Sequence, residues 1–279
     1  MTTPTMNEVL DTLQQLPTIS AVVQKVIASF DDPNLDAHTL ARKIAQDQGL
    51  VTKVLRVANS AFYGLPRQVG SIQEAVVVLG FANVRTLVIA AGLVGAFPAA
   101  RESALFDRKK FWHDSARIAL CARLLAKQLK QNQEIAFTAG LLSGVGQIVL
   151  DVCLPKEFGR VLQQAGAGSL IEVEQTLLGF DHATIGAEVA KRWNFPAAIQ
   201  HAIRFHYAPV QEPFEPISAI VSVAAQLVQG LDSGAAPDEL PQHLPETVTN
   251  RLGLDWDAIM TCLEALDEMS AAAGMLTET

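Results

Sequence analysis

Apolar residues recur at helical spacing almost from one end of this chain to the other. In Ile19–Phe30 they stand at Ile19, Val22, Val23, Val26, Ile27 and Phe30, the i, i+3, i+4, i+7 stripe of one helix face. Leu40, Ile44 and Ala45 carry the pattern on, with Asp36 placed to cap that helix, and Val51, Val54, Leu55 and Ala58 mark the next. Ser71-Ile-Gln-Glu74 reads as a capping box, in which the serine hydroxyl accepts from the glutamate amide and the glutamate reaches back. Ser169-Leu-Ile-Glu172 repeats that start signal, and Asp255 precedes the amphipathic run Trp256, Ile259, Leu263, Leu266. Prolines 17, 33, 66, 98, 155, 196 and 209 fall where helices should start or turn. The β-branched runs Val76–Val78 and Val221–Val223 sit inside helical spacing, and no alternating stretch supports a strand. The pattern predicts an all-α protein of about 13 to 15 helices. Gly230–Pro245 is expected to be a surface loop and Phe97–Ser103 a boundary. The chain therefore divides into an N-terminal helical array (1–100), a central bundle (101–230) and a C-terminal helical extension (231–279).

Composition narrows the function classes. With 279 residues, 49% apolar and 18% charged, the chain buries a substantial core and is not a disordered scaffold. A net charge of −8 counts against a dedicated nucleic-acid binder, which carries a basic patch. Cys121, Cys153 and Cys262 are widely spaced, form no metal or redox motif and suit a reducing compartment. Met1–Glu8 lacks the pattern of a secretory signal, and the apolar stretch Leu87–Phe97 is shorter than the roughly 20 residues of a spanning helix. A cytoplasmic protein with no membrane span is expected.

The chemistry-bearing residues are few. His113-Asp114 and Asp181-His182 are adjacent imidazole–carboxylate pairs, and His201 and His206 do not share a helix face. There is no His-Glu-x-x-His, no phosphate-cradling loop and no nucleophile elbow. The glycine run Gly140-x-x-x-Gly144-x-Gly146 follows a helical pattern and not a strand, so it does not read as a nucleotide loop. Arg108-Lys-Lys110 reads as a solvated helix start, and Trp112 and Trp193 as core. Asp181 reads equally well as a helix cap. Asn59-Ser60, both poor in helix interiors, are expected to bond to backbone or a neighbouring helix. Arg56, Arg67 and Arg85 are candidates for anion binding.

Several of these stretches resemble the HDOD family, the HD-related output domain of bacterial signalling proteins. Asp47-Gln-Gly-Leu50 running into Leu55-Arg56-Val-Ala-Asn59-Ser60-Ala-Phe62-Tyr-Gly64 is the most specific. Leu16-Pro17, Ser71-Ile72, Leu79-Gly80, Phe111-Trp112, Ala139-Gly140-Leu-Leu142, Leu178-Gly-Phe-Asp-His182, Gly186, Arg192-Trp193 and His206-Tyr-Ala-Pro209 extend it over residues 15–212. The resemblance implies an all-helical fold related to the HD phosphohydrolases, whose active members hold metal with an early His, a His-Asp pair and later histidines. Here the early His position is Asp114, with His113 one place before it. The His-Asp pair is replaced by Ser143-Gly144. His182 and His206 are kept, and the residue after His206 is Tyr207.

Glycine offers no ligand and serine a poor one, so the resemblance implies a degenerate site with no catalytic residue and no resident metal or cofactor. The vestigial pocket would comprise His113, Asp114, Ser143, Gly144, Asp181, His182, His206 and Tyr207. The expected role is a non-catalytic signalling module that acts through protein partners. Residues 213–279 read as further helices, so those partners would be supplied in trans. The alternatives are a metal-dependent phosphohydrolase with a reduced site, and a nucleotide-binding sensor that does not hydrolyse its ligand.

Overall fold

In a computed structural model, the described residues are 19–30, 37–60, 63–96, 105–166 and 168–277 with Met6 and Val9, and side chains are described as far as Leu266, His243 excepted. Asp36, Phe62, Leu16-Pro17 and the expected boundary Phe97–Ser103 lie outside them. Fifteen α-helices and one 3₁₀ turn, and no strand, are found among the described residues. The N-terminal array is α1 (Ala21–Ala28), α2 (Ala37–Ile44), α3 (Gln48–Ala58), α4 (Ile72–Leu79) and α5 (Phe81–Ala96). The centre is α6 (Arg108–Gln128), α7 (Gln133–Leu142), α8 (Val145–Cys153), α9 (Pro155–Ala165), α10 (Leu170–Leu178), α11 (His182–Arg192), α12 (Ala197–Phe205) and α13 (Pro216–Asp232). A 3₁₀ turn (Leu240–His243), α14 (Glu246–Leu252) and α15 (Trp256–Thr277) follow.

The caps explain why the helices begin where they do. Ser20, Asp47, Ser71, Asp107, Asn132, Ser169, Asp181 and Asp255 each accept a backbone N–H of the first turn. At Ser71 the box is shifted by one residue: Glu74 accepts from the Gly70 amide, 2.9 Å away. Gly179 ends α10 and Gly253 ends α14 in the left-handed conformation that a Cβ disfavours.

Helix α5 is apolar on all sides and buried, which is why it joins the array to the centre. It packs on α1, α3 and α4, and on its other side on α7 and α15. The Arg85 guanidinium crosses that junction. It donates to Glu134 at the start of α7 and to the Ser29 carbonyl at the end of α1, and stacks 4.2 Å over Phe30. Arg67 is paired with Glu74. The anion role considered for Arg85 and Arg67 is thus taken by carboxylates of the chain itself.

Asn59 sits at the C-terminal end of α3, not in its interior. Its side chain bonds both backbone groups of Val69, accepting from N–H at 2.7 Å and donating to C=O at 2.9 Å, and so ties down the connection to α4. The neighbouring Ser60 is buried, and nothing among the described residues explains its hydroxyl.

Two readings are corrected by the packing and one is refined. Gly230–Pro245 is the expected surface loop between Ser233 and Glu239, with turns and mostly exposed residues, but its ends are structured. Helix α13 runs on to Asp232, two residues past the expected edge of the bundle, and Leu240 is buried against Gly230, where a Cβ would stand 2.2 Å from the leucine Cδ2. Arg108 is not solvated but buried, donating to the fully buried Asp151 on α8 at 2.6 and 2.9 Å. The longest apolar stretch is Gln133–Cys153, sufficient in length and composition to cross a membrane; a turn at Ser143-Gly144 breaks it, and 78% of its most apolar window is buried inside the fold.

Two of the cysteines also meet. Cys121 on α6 and Cys262 on α15 are fully buried, with their sulfurs 2.9 Å apart, because α15 lies along α6.

Candidate functional site

A cleft of about 960 Å³ opens where α6, the α7–α8 turn, the starts of α10 and α11, the end of α12 and α13 converge, a volume in the range of small-molecule sites. It is lined by six of the eight residues expected in the vestigial pocket: Asp114, Ser143, Gly144, His182, His206 and Tyr207. His113 does not line it. One residue round α6, its ring is partly exposed and lies 3.5 Å from Asp114. Asp181 stands behind the cleft as the cap of α11. The other family-motif residues hold structure away from it. Asp47 caps α3, Arg56 lies on α3, Asn59 and Ser60 follow it, and Trp193 closes α11 beside Phe195.

The floor is set by two imidazoles with ring centres 5.9 Å apart. His182, buried at the first position of α11, donates from Nδ1 to Glu174 Oε2 at 2.7 Å, and its backbone N–H donates to the same oxygen at 2.9 Å. His206 donates from Nδ1 to the Ile203 carbonyl at 2.9 Å. Each ring is therefore oriented through Nδ1, and Nε2 is left without a partner among the described residues. Burial, reinforced by His182, pushes the His206 pKa down to about 4, against the opposing bond to Ile203 and the charge of Asp181, so the ring is neutral near pH 7.

Burial works against the Asp181 carboxylate. Bonds from Gln175 and Thr184 and the charge of Arg204 outweigh it, and its pKa falls below the ordinary value. Tyr207 is raised by burial and by Asp181, against Arg204.

The positions that the resemblance assigns to metal ligands are engaged by other groups. Ser143 Oγ donates to the Gly140 carbonyl at 2.9 Å, inside its own helix turn. A Cβ at Gly144 would lie 2.9 Å from the Phe111 ring and 3.2 Å from the Gln147 side chain, so a side chain there is crowded by both. Asp114 accepts from Lys110 Nζ at 2.6 Å, and the same ammonium bridges to Asp232 at 2.9 Å, where Arg117 also binds. Burial alone would lower the Lys110 pKa, but the two aspartates more than compensate and raise it. Asp114 thus holds the lysine ammonium, with the Arg117 guanidinium at 4.0 Å as a second cation.

Among the described residues no three His, Cys, Asp or Glu groups converge as a metal site needs. The donors present do not fit the metal centre of an HD enzyme.

The glycine run is explained by helix packing. A Cβ on Gly140 would lie 2.9 Å from the Ala119 Cα, and one on Gly146 would lie 1.9 Å from the His182 carbonyl oxygen. Gly146 and Gly186 let α8 and α11 cross backbone to backbone, and this crossing sets the depth of His182 in the cleft.

Sequence reasoning missed Glu174, Lys110, Phe111 and Asp232. Two of them left a signal: Glu174 stands four residues from both Leu170 and Leu178, in the apolar stripe of α10, a register in which a carboxylate needs an internal partner, and Lys110 stands four residues before Asp114 on one helix.

The model of the HDOD domain matches residues 16–209. The chain belongs to the HDOD family. Solved structures agree over 96% of this chain. An HDOD domain protein of unknown function from Geobacter sulfurreducens superposes with a TM-score of 0.81 at 25% identity, over 96% of its own length. A protein from Shewanella amazonensis SB2B, provisionally named a phosphohydrolase, superposes at 0.79 and 28% over 96% of its length. One from Marinobacter aquaeolei VT8, provisionally named a signal transduction protein, superposes at 0.78 and 25% over 61% of its length.

Among curated proteins, an uncharacterized protein of Treponema pallidum is 27% identical over 87% of this HDOD chain, which spans only 48% of that relative. Ribonuclease Y of Clostridium tetani is 32% identical over 51% of this chain and 27% of its own length. The chain thus spans about half, or less, of the curated relatives it matches.

Proposed function

We propose that this HDOD chain is a non-catalytic regulatory module of bacterial signal transduction that acts by binding a protein partner, on a scaffold whose hydrolytic site has been dismantled. The observation that carries the reading is Phe111: a Cβ at position 144, from which the superfamily's central aspartate would project, would stand 2.9 Å from its ring, so the ring crowds that position. Ser143 bonded into its own helix turn and Asp114 engaged by Lys110 support it further. Two imidazoles remain, fewer than the three protein ligands of a catalytic metal site. The Shewanella protein's name favours the hydrolase alternative, but the donor set here argues against carrying that activity over. A nucleotide sensor is disfavoured by charge. Asp107, Asp114, Glu172 and Asp232 line the cleft against a single lysine that is already paired.

The test is elemental analysis of protein purified without chelator, beside a phosphodiester turnover assay with added manganese. The reading expects neither stoichiometric metal nor turnover. One equivalent of iron, manganese or zinc with turnover abolished by His182→Ala would overturn it. The partner itself is sought by cross-linking in the native host and mass spectrometry, with binding then reproduced from purified components.

A further inference from the structure

We infer that Cys121 and Cys262 form a modification site, a peroxide-driven disulfide that latches the C-terminal helix α15 to α6. The two sulfurs are 2.9 Å apart and both side chains are fully buried, so closing the bond needs less than an ångström of approach. The pair joins two elements 141 positions apart in sequence. Helix α6 also carries Lys110, Phe111 and Asp114 of the cleft wall, and α15 also packs on α3 and α5 of the N-terminal array. A covalent link at this point therefore fixes the helix that touches both halves of the molecule.

The chemistry balances with hydrogen peroxide as the oxidant. One thiol, as thiolate, attacks a peroxide oxygen; the O–O bond breaks, and a sulfenic acid and water result. The second sulfur attacks the sulfenic sulfur, the S–O bond breaks and a second water leaves. Two thiols have given two electrons and two protons to one peroxide. Burial and the neighbouring Cys262 push the Cys121 thiol well above its ordinary range, against the charge of Arg117, so the docked pair reacts slowly and opening of α15 sets the rate. The third cysteine, Cys153, lies on α8, and its thiol is pushed up to about 11 by burial.

The native chain is treated with excess hydrogen peroxide, quenched with catalase, denatured in an alkylating agent and weighed intact. The expected product has lost about 2 Da and blocks two of three thiols, reversibly by dithiothreitol. Its melting temperature rises by roughly 5 °C or more, and amide exchange in α15 slows. Cys153→Ala should keep the 2 Da loss, whereas Cys121→Ala and Cys262→Ala should each abolish it. Oxygen addition with no 2 Da loss, or a 2 Da loss that survives in Cys121→Ala, would overturn the assignment. Because the readout is mass and melting, it stands apart from whether the cleft is catalytic.

Discussion

His182 is held by a single oxygen of Glu174, which accepts from both its ring Nδ1 at 2.7 Å and its backbone N–H at 2.9 Å. The carboxylate is fully buried, so this contact fixes the tautomer of His182 and the start of α11 together. Glu174→Ala would leave two buried donors without an acceptor. Chemical denaturation should show a loss of about 2–4 kcal/mol, and imidazole nitrogen NMR should show the Nδ1-protonated form of His182 no longer dominant. An unchanged tautomer would mean that Glu174 does not orient the ring.

His206 supplies a pH dependence with a defined sign. Its pKa in the fold is about 4 against an ordinary 6.5, so the unfolded chain takes the proton more readily. Its contribution is fully present above pH 6.5 and is lost as the pH falls toward 4, a total of about 3 kcal/mol. Urea melts between pH 7 and 4 should show this decline, and His206→Asn should flatten it.

Gly146→Ala puts a methyl group 1.9 Å from the His182 carbonyl oxygen, a backbone atom that cannot swing away. The α8–α11 crossing must open, at a cost of about 3 kcal/mol or more. Gly159→Ala is the matched control. Its Cβ would make an ordinary contact at 3.7 Å from Leu105, and in the interior of α9 it should stabilise by about 0.5–1 kcal/mol. Thermal melts of the two variants separate steric exclusion from glycine's general effect.

Restoring the superfamily pair by Ser143→His with Gly144→Asp should not restore a metal site. The new Cβ at position 144 meets the Phe111 ring at 2.9 Å, and Asp114 remains engaged by Lys110. The double variant should be less stable by about 1–3 kcal/mol and bind no manganese by calorimetry. Tight binding would show that the ring yields and that ligand identity alone had been limiting.

Asn59→Ala removes both bonds to Val69 and frees the connection ahead of α4. A loss of about 1–3 kcal/mol is expected from denaturation curves. A change within about 0.5 kcal/mol, as for an exposed surface residue, would show that the Val69 backbone is satisfied by water instead.

The sequence alone determined the helical character, several helix starts and the family, because caps and apolar stripes act over three or four residues and are written locally. Ser71, Ser169, Asp181 and Asp255 cap the helices they were expected to cap. The resemblance also assigned Ser143 and Gly144 to the positions at which HD enzymes carry their His-Asp pair. What surrounds those positions was not legible. The Phe111 ring over Gly144, the Asp232 carboxylate on Lys110 and Glu174 beneath His182 come from other helices, and pairing at such distances leaves no periodic trace, whereas Lys110 and Asp114 stand four residues apart on one helix and were legible as a pair. Arg108 read as solvated because a charge at a helix start usually is. Only the burial of Asp151, 43 residues away, makes it a core ion pair. The same holds for Cys121 and Cys262, unrelated in spacing and brought to 2.9 Å by the docking of α15 along α6. Local rules set which elements form; the burial of their apolar faces against one another decided which side chains meet.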